Sequence, residues 1–60
     1  MAEYITVQEA AAYLSMSITA VRRLVYARKV RFHRLPGGGL RFKRHDLDAY
    51  MRLHAQDVGF

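Results

Sequence analysis

Arginine and lysine are the side chains with most chemistry to offer in this chain, and their spacing is uneven. Nine of them (Arg22, Arg23, Arg28, Lys29, Arg31, Arg34, Arg41, Lys43, Arg44) fall between residues 22 and 44, with no Asp or Glu among them. Glu3 and Glu9 precede this block; Asp46, Asp48 and Asp57 follow it, with Arg52 as the last cation. The net charge is +5. Solubility is served by mixed signs. A block of one sign repels itself inside a compact domain and attracts polyanions, nucleic acid above all.

The patterns that would support other chemistry do not form. The chain has no cysteine, which excludes disulfides and thiolate metal sites. His33, His45 and His54 are far apart and make no His-x-x-x-His pair, so no metal is expected. No Ser/His/Asp set or paired carboxylate falls in a plausible cleft; the reading is a non-enzyme without a cofactor. The glycine stretch PGGG, residues 36–39, lacks the Gly-Lys-Ser/Thr of a phosphate loop and runs into a strand pattern instead of a helix. With 60 residues, one domain is the ceiling, and folding buries only about 60% of the unfolded chain's surface. No apolar run approaches the roughly 20 residues of a membrane span. The start MAEYITVQEA has no signal-peptide layout, so a cytoplasmic protein is expected.

What must position the cations follows from periodicity. Thr6 and Glu9 form the S/T-x-x-E capping box, and Val7, Ala10, Ala11 and Leu14 then recur as one helix face. Tyr13 lies at its edge. Ser17 is placed to cap a second helix, Ile18 to about Ala27, with Ile18, Val21, Leu24 and Val25 facing inward. Thr19, Arg23 and Tyr26 then point outward, with Arg22 on the flank. Two short helices joined by about three residues make a helix-turn-helix layout. VRFHRL (30–35) and LRFK (40–43) alternate as strands, and PGGG between them reads as a four-residue hairpin connection. A last helix begins near His45, with Asp46 and Asp48 in its first turn and Leu47, Tyr50, Met51 and His54 on one face. The expected core is Val7, Ala10, Ala11, Leu14, Ile18, Val21, Leu24, Val25, Phe32, Leu40, Phe42, Leu47, Tyr50 and Met51. The fold class is therefore α+β, mainly α: a small helix-turn-helix, a two-stranded β-hairpin and a C-terminal helix over residues 1–55, then a short tail, 56–60.

Roles follow. Arg23, mid-helix and outward, suits a guanine edge, for which arginine is the commonest partner; its plainer role is a phosphate clamp. Thr19 and Arg22 support it. Ser17 caps the helix, and a capped N-terminus also binds phosphate. Tyr26 touches a phosphate or covers the helix end. In the hairpin, Gly38 and its neighbours let the backbone approach a partner, with Arg34, Arg41, Lys43 and Arg44 around them. Arg41 is the choice for a minor groove. Arg28, Lys29 and Arg31 add general electrostatics. Leu53, Val58 and Phe60 have no evident core place; they pack the tail or meet a partner.

TVQEAAAYLSMS, ITAVRRLV and GGGLRFKRHDLDAY, in this order, resemble the excisionase-type winged helix-turn-helix family, related to the DNA-binding domain of MerR-type regulators. The resemblance spans residues 4–51. It implies a double-stranded DNA-binding module whose second helix enters the major groove and whose wing enters the minor groove. It implies recombination directionality factors of phages and mobile elements, which bind tandem sites beside copies of themselves, bend DNA and assist a tyrosine integrase in a bacterial host. Other members of the family are small transcription regulators. Two departures stand out. The family's glycine after the recognition helix is replaced by Arg28 or Lys29, and its serine cap on the last helix by His45, leaving Asp48 to compensate.

Overall fold

In the computed structural model, which describes residues 3–54, the elements run β1 (Tyr4–Ile5), α1 (Val7–Leu14), α2 (Ile18–Tyr26), β2 (His33–Arg34), β3 (Leu40–Lys43) and α3 (Arg44–His54). This is a mainly helical α+β domain with a three-stranded antiparallel sheet ordered β1-β3-β2. A small winged helix-turn-helix accounts for every element.

Helix α1 starts at the expected capping box. Thr6 Oγ1 accepts from the Glu9 N–H at 3.1 Å, and Glu9 Oε1 accepts from the Thr6 N–H at 2.9 Å. The Thr6 backbone donor is the main reason that the Glu9 carboxyl lies below its ordinary 4.5. Ser15 ends the helix in the left-handed region, at φ 56, while the Met16 N–H donates to the Ala11 carbonyl at 2.9 Å. This closing pattern satisfies carbonyls that the helix end would otherwise orphan. Ser17 then caps α2, its Oγ accepting from the Ala20 N–H at 3.0 Å.

Helix α2 ends one residue before the expected Ala27, which is its C-cap. The same closing pattern recurs: the Lys29 N–H donates to the Leu24 carbonyl at 2.9 Å and the Arg28 N–H to the Val25 carbonyl at 3.0 Å. Arg28 occupies the left-handed position, φ 56. A β-carbon there costs about 1 kcal/mol relative to glycine, so the departure noted in the sequence falls on Arg28 and not on Lys29.

The sheet differs from the expected two-stranded hairpin. Tyr4 and Ile5 pair with Lys43 and Phe42, which adds a strand and makes β3 the centre of the sheet. Ile5 is thereby buried. On the other edge, β2 is shorter than residues 30–35. The chain bends at Val30, whose side chain turns into the core, and pairs with β3 only at His33↔Arg41 and Arg34↔Leu40. The connection also differs from four residues. The Leu35 N–H donates to the Gly39 carbonyl at 2.8 Å, which extends the ladder and leaves Pro36, Gly37 and Gly38 as the loop. The Gly38 N–H closes a turn on the Leu35 carbonyl at 2.9 Å. Pro36 and then Gly37 at φ 101 give the residue order of a type II turn.

The core is Ile5, Ala10, Ala11, Leu14, Val21, Val25, Val30, Phe42 and Leu47, with Val7, Leu24, Phe32, Leu40 and Tyr50 packed against it. Helix α1 packs on α2, on β3 and on α3; Ala10 and Ala11 keep its inner face low enough for that. Two expected core residues lie at the surface instead, Ile18 at 39% and Met51 at 41% exposure. Each sits near a helix end, where the apolar stripe runs past its neighbours. His54 is likewise exposed and stacks on Tyr50, with ring centroids 4.7 Å apart. Helix α3 begins at Arg44, directly from β3. Asp48 does not serve as its cap: Oδ1 accepts a 2.7 Å hydrogen bond from the Tyr13 hydroxyl, tying α3 to α1 and raising the tyrosine's pKa.

Candidate nucleic-acid interface

The proposed contact residues fall into two sets, joined through α1. The first set lies on α2. Thr19, Arg22, Arg23 and Tyr26 are all exposed, Tyr26 at 74%. Their inward counterparts Val21 and Val25 are buried. The helical period therefore holds one stripe in the core and turns the other to solvent. Among the described residues, no side chain forms an ion pair or hydrogen bond with Arg22 or Arg23. Their guanidinium groups are held only by the helix. Arg28, Lys29 and Arg31 follow α2 around a shallow groove of about 410 Å³ that also involves Val30 and Phe32. Val30 anchors this basic turn in the core.

The second set lies on the wing, and alternation splits it. Arg34 pairs with Leu40, so it shares the hairpin face that Leu40 and Phe42 occupy. Arg41 and Lys43 point the other way, alongside Tyr4 and His33. Arg34 is thus not on the same face as Arg41. Gly38 is at the tip, at φ 103, with open space around it. Arg44 belongs to the first turn of α3 and not to the strand, because the helix begins there.

The cations of this second face are already engaged. Arg41 is half-buried, and its Nη1 donates to the Leu40 carbonyl at 2.8 Å. Lys43 Nζ lies 3.3 Å from Glu3 Oε1 and 5.3 Å from the centre of the Tyr4 ring. Both raise the lysine's pKa, Glu3 first. Tyr4 also meets the His33 ring edge-on at 5.3 Å. Tyr4, His33, Leu35 and Arg41 line a second, more apolar groove of about 420 Å³. His33 Nε2 is buried there without a partner among the described residues.

Sequence reasoning missed Glu3 and Tyr4 as the contacts of Lys43. A two-residue strand has no readable periodicity, and its pairing partner lies some forty residues away. Leu53, expected to pack the tail or meet a partner, is 80% exposed at the end of α3; Val58 and Phe60 lie outside the described residues. Among the described residues, no group of three or more His, Asp or Glu could hold a metal ion. No described helix is long and apolar enough to cross a membrane.

A protein-family model described as a helix-turn-helix domain matches residues 4–53. No curated protein and no solved structure matches the chain.

Proposed function

The chain belongs to the helix-turn-helix domain family, and from that footing we propose that it binds double-stranded DNA in a sequence-specific way as an excisionase-type architectural protein. The single observation that carries the DNA reading is the outward stripe of α2. Arg22 and Arg23 stand there in solvent, on a helix whose other side is locked into the core. Such a helix fits the major groove of B-DNA. Arg23 reads a base edge, Thr19 and Arg22 support it, and Tyr26 and the Ser17-capped helix start hold phosphates. The wing follows the backbone into the adjacent minor groove with Gly38 at its tip, Arg41 inserted and Lys43 on phosphate. Arg34 and Arg44 hold phosphates on either side.

The finer assignment rests on the resemblance of residues 4–51 to excisionases. In that reading several copies occupy neighbouring sites, bend the DNA and promote excision by a tyrosine integrase inside a bacterial cell. Leu53, Val58 and Phe60 supply the contact to a neighbouring copy or to the integrase.

Selection from a pool of random duplex DNA, followed by footprinting of the enriched sequences, tests this. A short motif recurring in tandem at fixed spacing is the expected result. One isolated or inverted motif would replace the excisionase assignment with a small transcription regulator. No enrichment would overturn sequence-specific recognition.

A further inference from the structure

The three wing glycines do not share one cause. Gly37 and Gly38 adopt φ of 101 and 103, where a side chain is strained, and both face open space. Gly39 is different. It is not among the positive-φ residues, so its backbone does not call for glycine. Its surroundings do. A β-carbon on Gly39 would stand 3.1 Å from Arg41 Nη1 and 3.8 Å from both Arg41 Cζ and Leu35 Cδ1. The first distance is shorter than the roughly 3.5–4.0 Å optimum of non-bonded heavy atoms.

Residues 39 and 41 lie two apart on an extended chain and share a face. The Arg41 side chain therefore runs back towards the tip across the space that a residue-39 side chain would fill. There Nη1 reaches the Leu40 carbonyl at 2.8 Å. A guanidinium carries five donors, so this bond leaves others for a ligand.

We infer that Gly39 is a positioning residue: its missing side chain is the slot that seats the Arg41 guanidinium, pre-ordering it beside the wing tip for the minor groove. The inference rests on the DNA-binding reading of the wing. It deepens that reading by assigning the third glycine to recognition and not to the turn. A seated arginine has surrendered much of its rotamer freedom before binding, which lowers the cost of binding. Alanine at residue 39 meets only the end of a flexible side chain, so the fold survives while Nη1 must shift by a few tenths of an ångström, which loosens its bond to the Leu40 carbonyl.

Two measurements on the full chain test this. In the DNA-free protein, low-temperature NMR of the Arg41 Nη groups should show slowed rotation about the Cζ–Nη bonds, because Nη1 is held on the Leu40 carbonyl, and Gly39→Ala should return it towards the fast rotation of a solvent-exposed arginine. An unchanged signal in Gly39→Ala overturns the seat whether or not DNA binds. The second measurement is affinity, by fluorescence anisotropy, for a duplex carrying the motif enriched by the wild-type chain. Gly39→Ala should weaken binding about fivefold to tenfold when Arg41 is present and less than about twofold in an Arg41→Ala background, the non-additivity expected of coupled neighbours. Equal losses in both backgrounds overturn the positioning role but leave the DNA reading standing. Absence of binding by the wild-type chain overturns the DNA reading itself. Gly38→Ala, which strains the backbone without touching Arg41, should lower the melting temperature, whereas Gly39→Ala should not.

Discussion

Helix α2 and the wing present their cations in opposite states. Arg22 and Arg23 stand in solvent on a rigid support, without a side-chain partner among the described residues. On the wing, Arg41 is tied to the Leu40 carbonyl and Lys43 to Glu3 and Tyr4. A flat helix face enters a groove wide enough for side chains to search for base edges. A hairpin tip meets a narrow one, where an arginine already in place gains more than one still sampling rotamers. The difference teaches where each region spends conformational entropy. On the DNA-binding reading proposed above, the helix would order its side chains when DNA arrives, whereas the contacts of Arg41 and Lys43 form with the fold.

Both regions hang on one core, and the largest effect comes from breaking it. Phe42, fully buried at the centre of the sheet, holds β3 against the helices. Phe42→Ala should cost about 3–5 kcal/mol, as much as a domain of this size commonly has. A thermal melt followed by circular dichroism should lose its cooperative transition, and DNA binding should vanish from both regions together. Arg23→Ala separates them. It should weaken specific binding about tenfold to a hundredfold, the range of one base contact, with an unchanged melting temperature. Loss of affinity without relaxed sequence preference would return Arg23 to the phosphate role.

Arg28→Gly acts at the junction between the two regions. Relieving the left-handed position should stabilise the fold by about 0.5–1 kcal/mol and raise the melting temperature by a few degrees. It should also cost about threefold in affinity, because one cation leaves the basic turn. A gain in stability with no loss in affinity would show that Arg28 faces away from the DNA. The smallest effect belongs to Glu3→Gln. This surface pair is worth little in itself, but releasing Lys43 should raise affinity about twofold at low salt. No change would mean that Lys43 does not reach the phosphates.

Much of this was legible in the sequence because short-range rules govern it. The Thr6–Glu9 box, the Ser17 cap and the two stripes of α2 depend on residues three or four apart. The strained position after α2 was visible only through the resemblance, and only as Arg28 or Lys29; the closing hydrogen bonds place it at Arg28. What was not legible depends on distant pairing. Strand β1 gains its place only by meeting β3, and with it come the burial of Ile5 and the ion pair of Glu3 with Lys43. Arg34 and Arg41 look equivalent as flanking cations, yet the register puts them on opposite faces. The turn sequence indicated that glycine was needed near residues 37–39. It could not indicate that Gly39 serves an arginine and not the backbone.

The most direct test of the account is the equilibrium affinity of the chain for duplex DNA across a salt series, from about 50 to 200 mM. Helix α2 and the wing together should neutralise about five phosphates, so log K should fall against log salt with a slope near −4 to −5. A slope close to zero would mean that the cations of residues 22–44 do not meet the backbone, and would contradict the DNA interface as a whole.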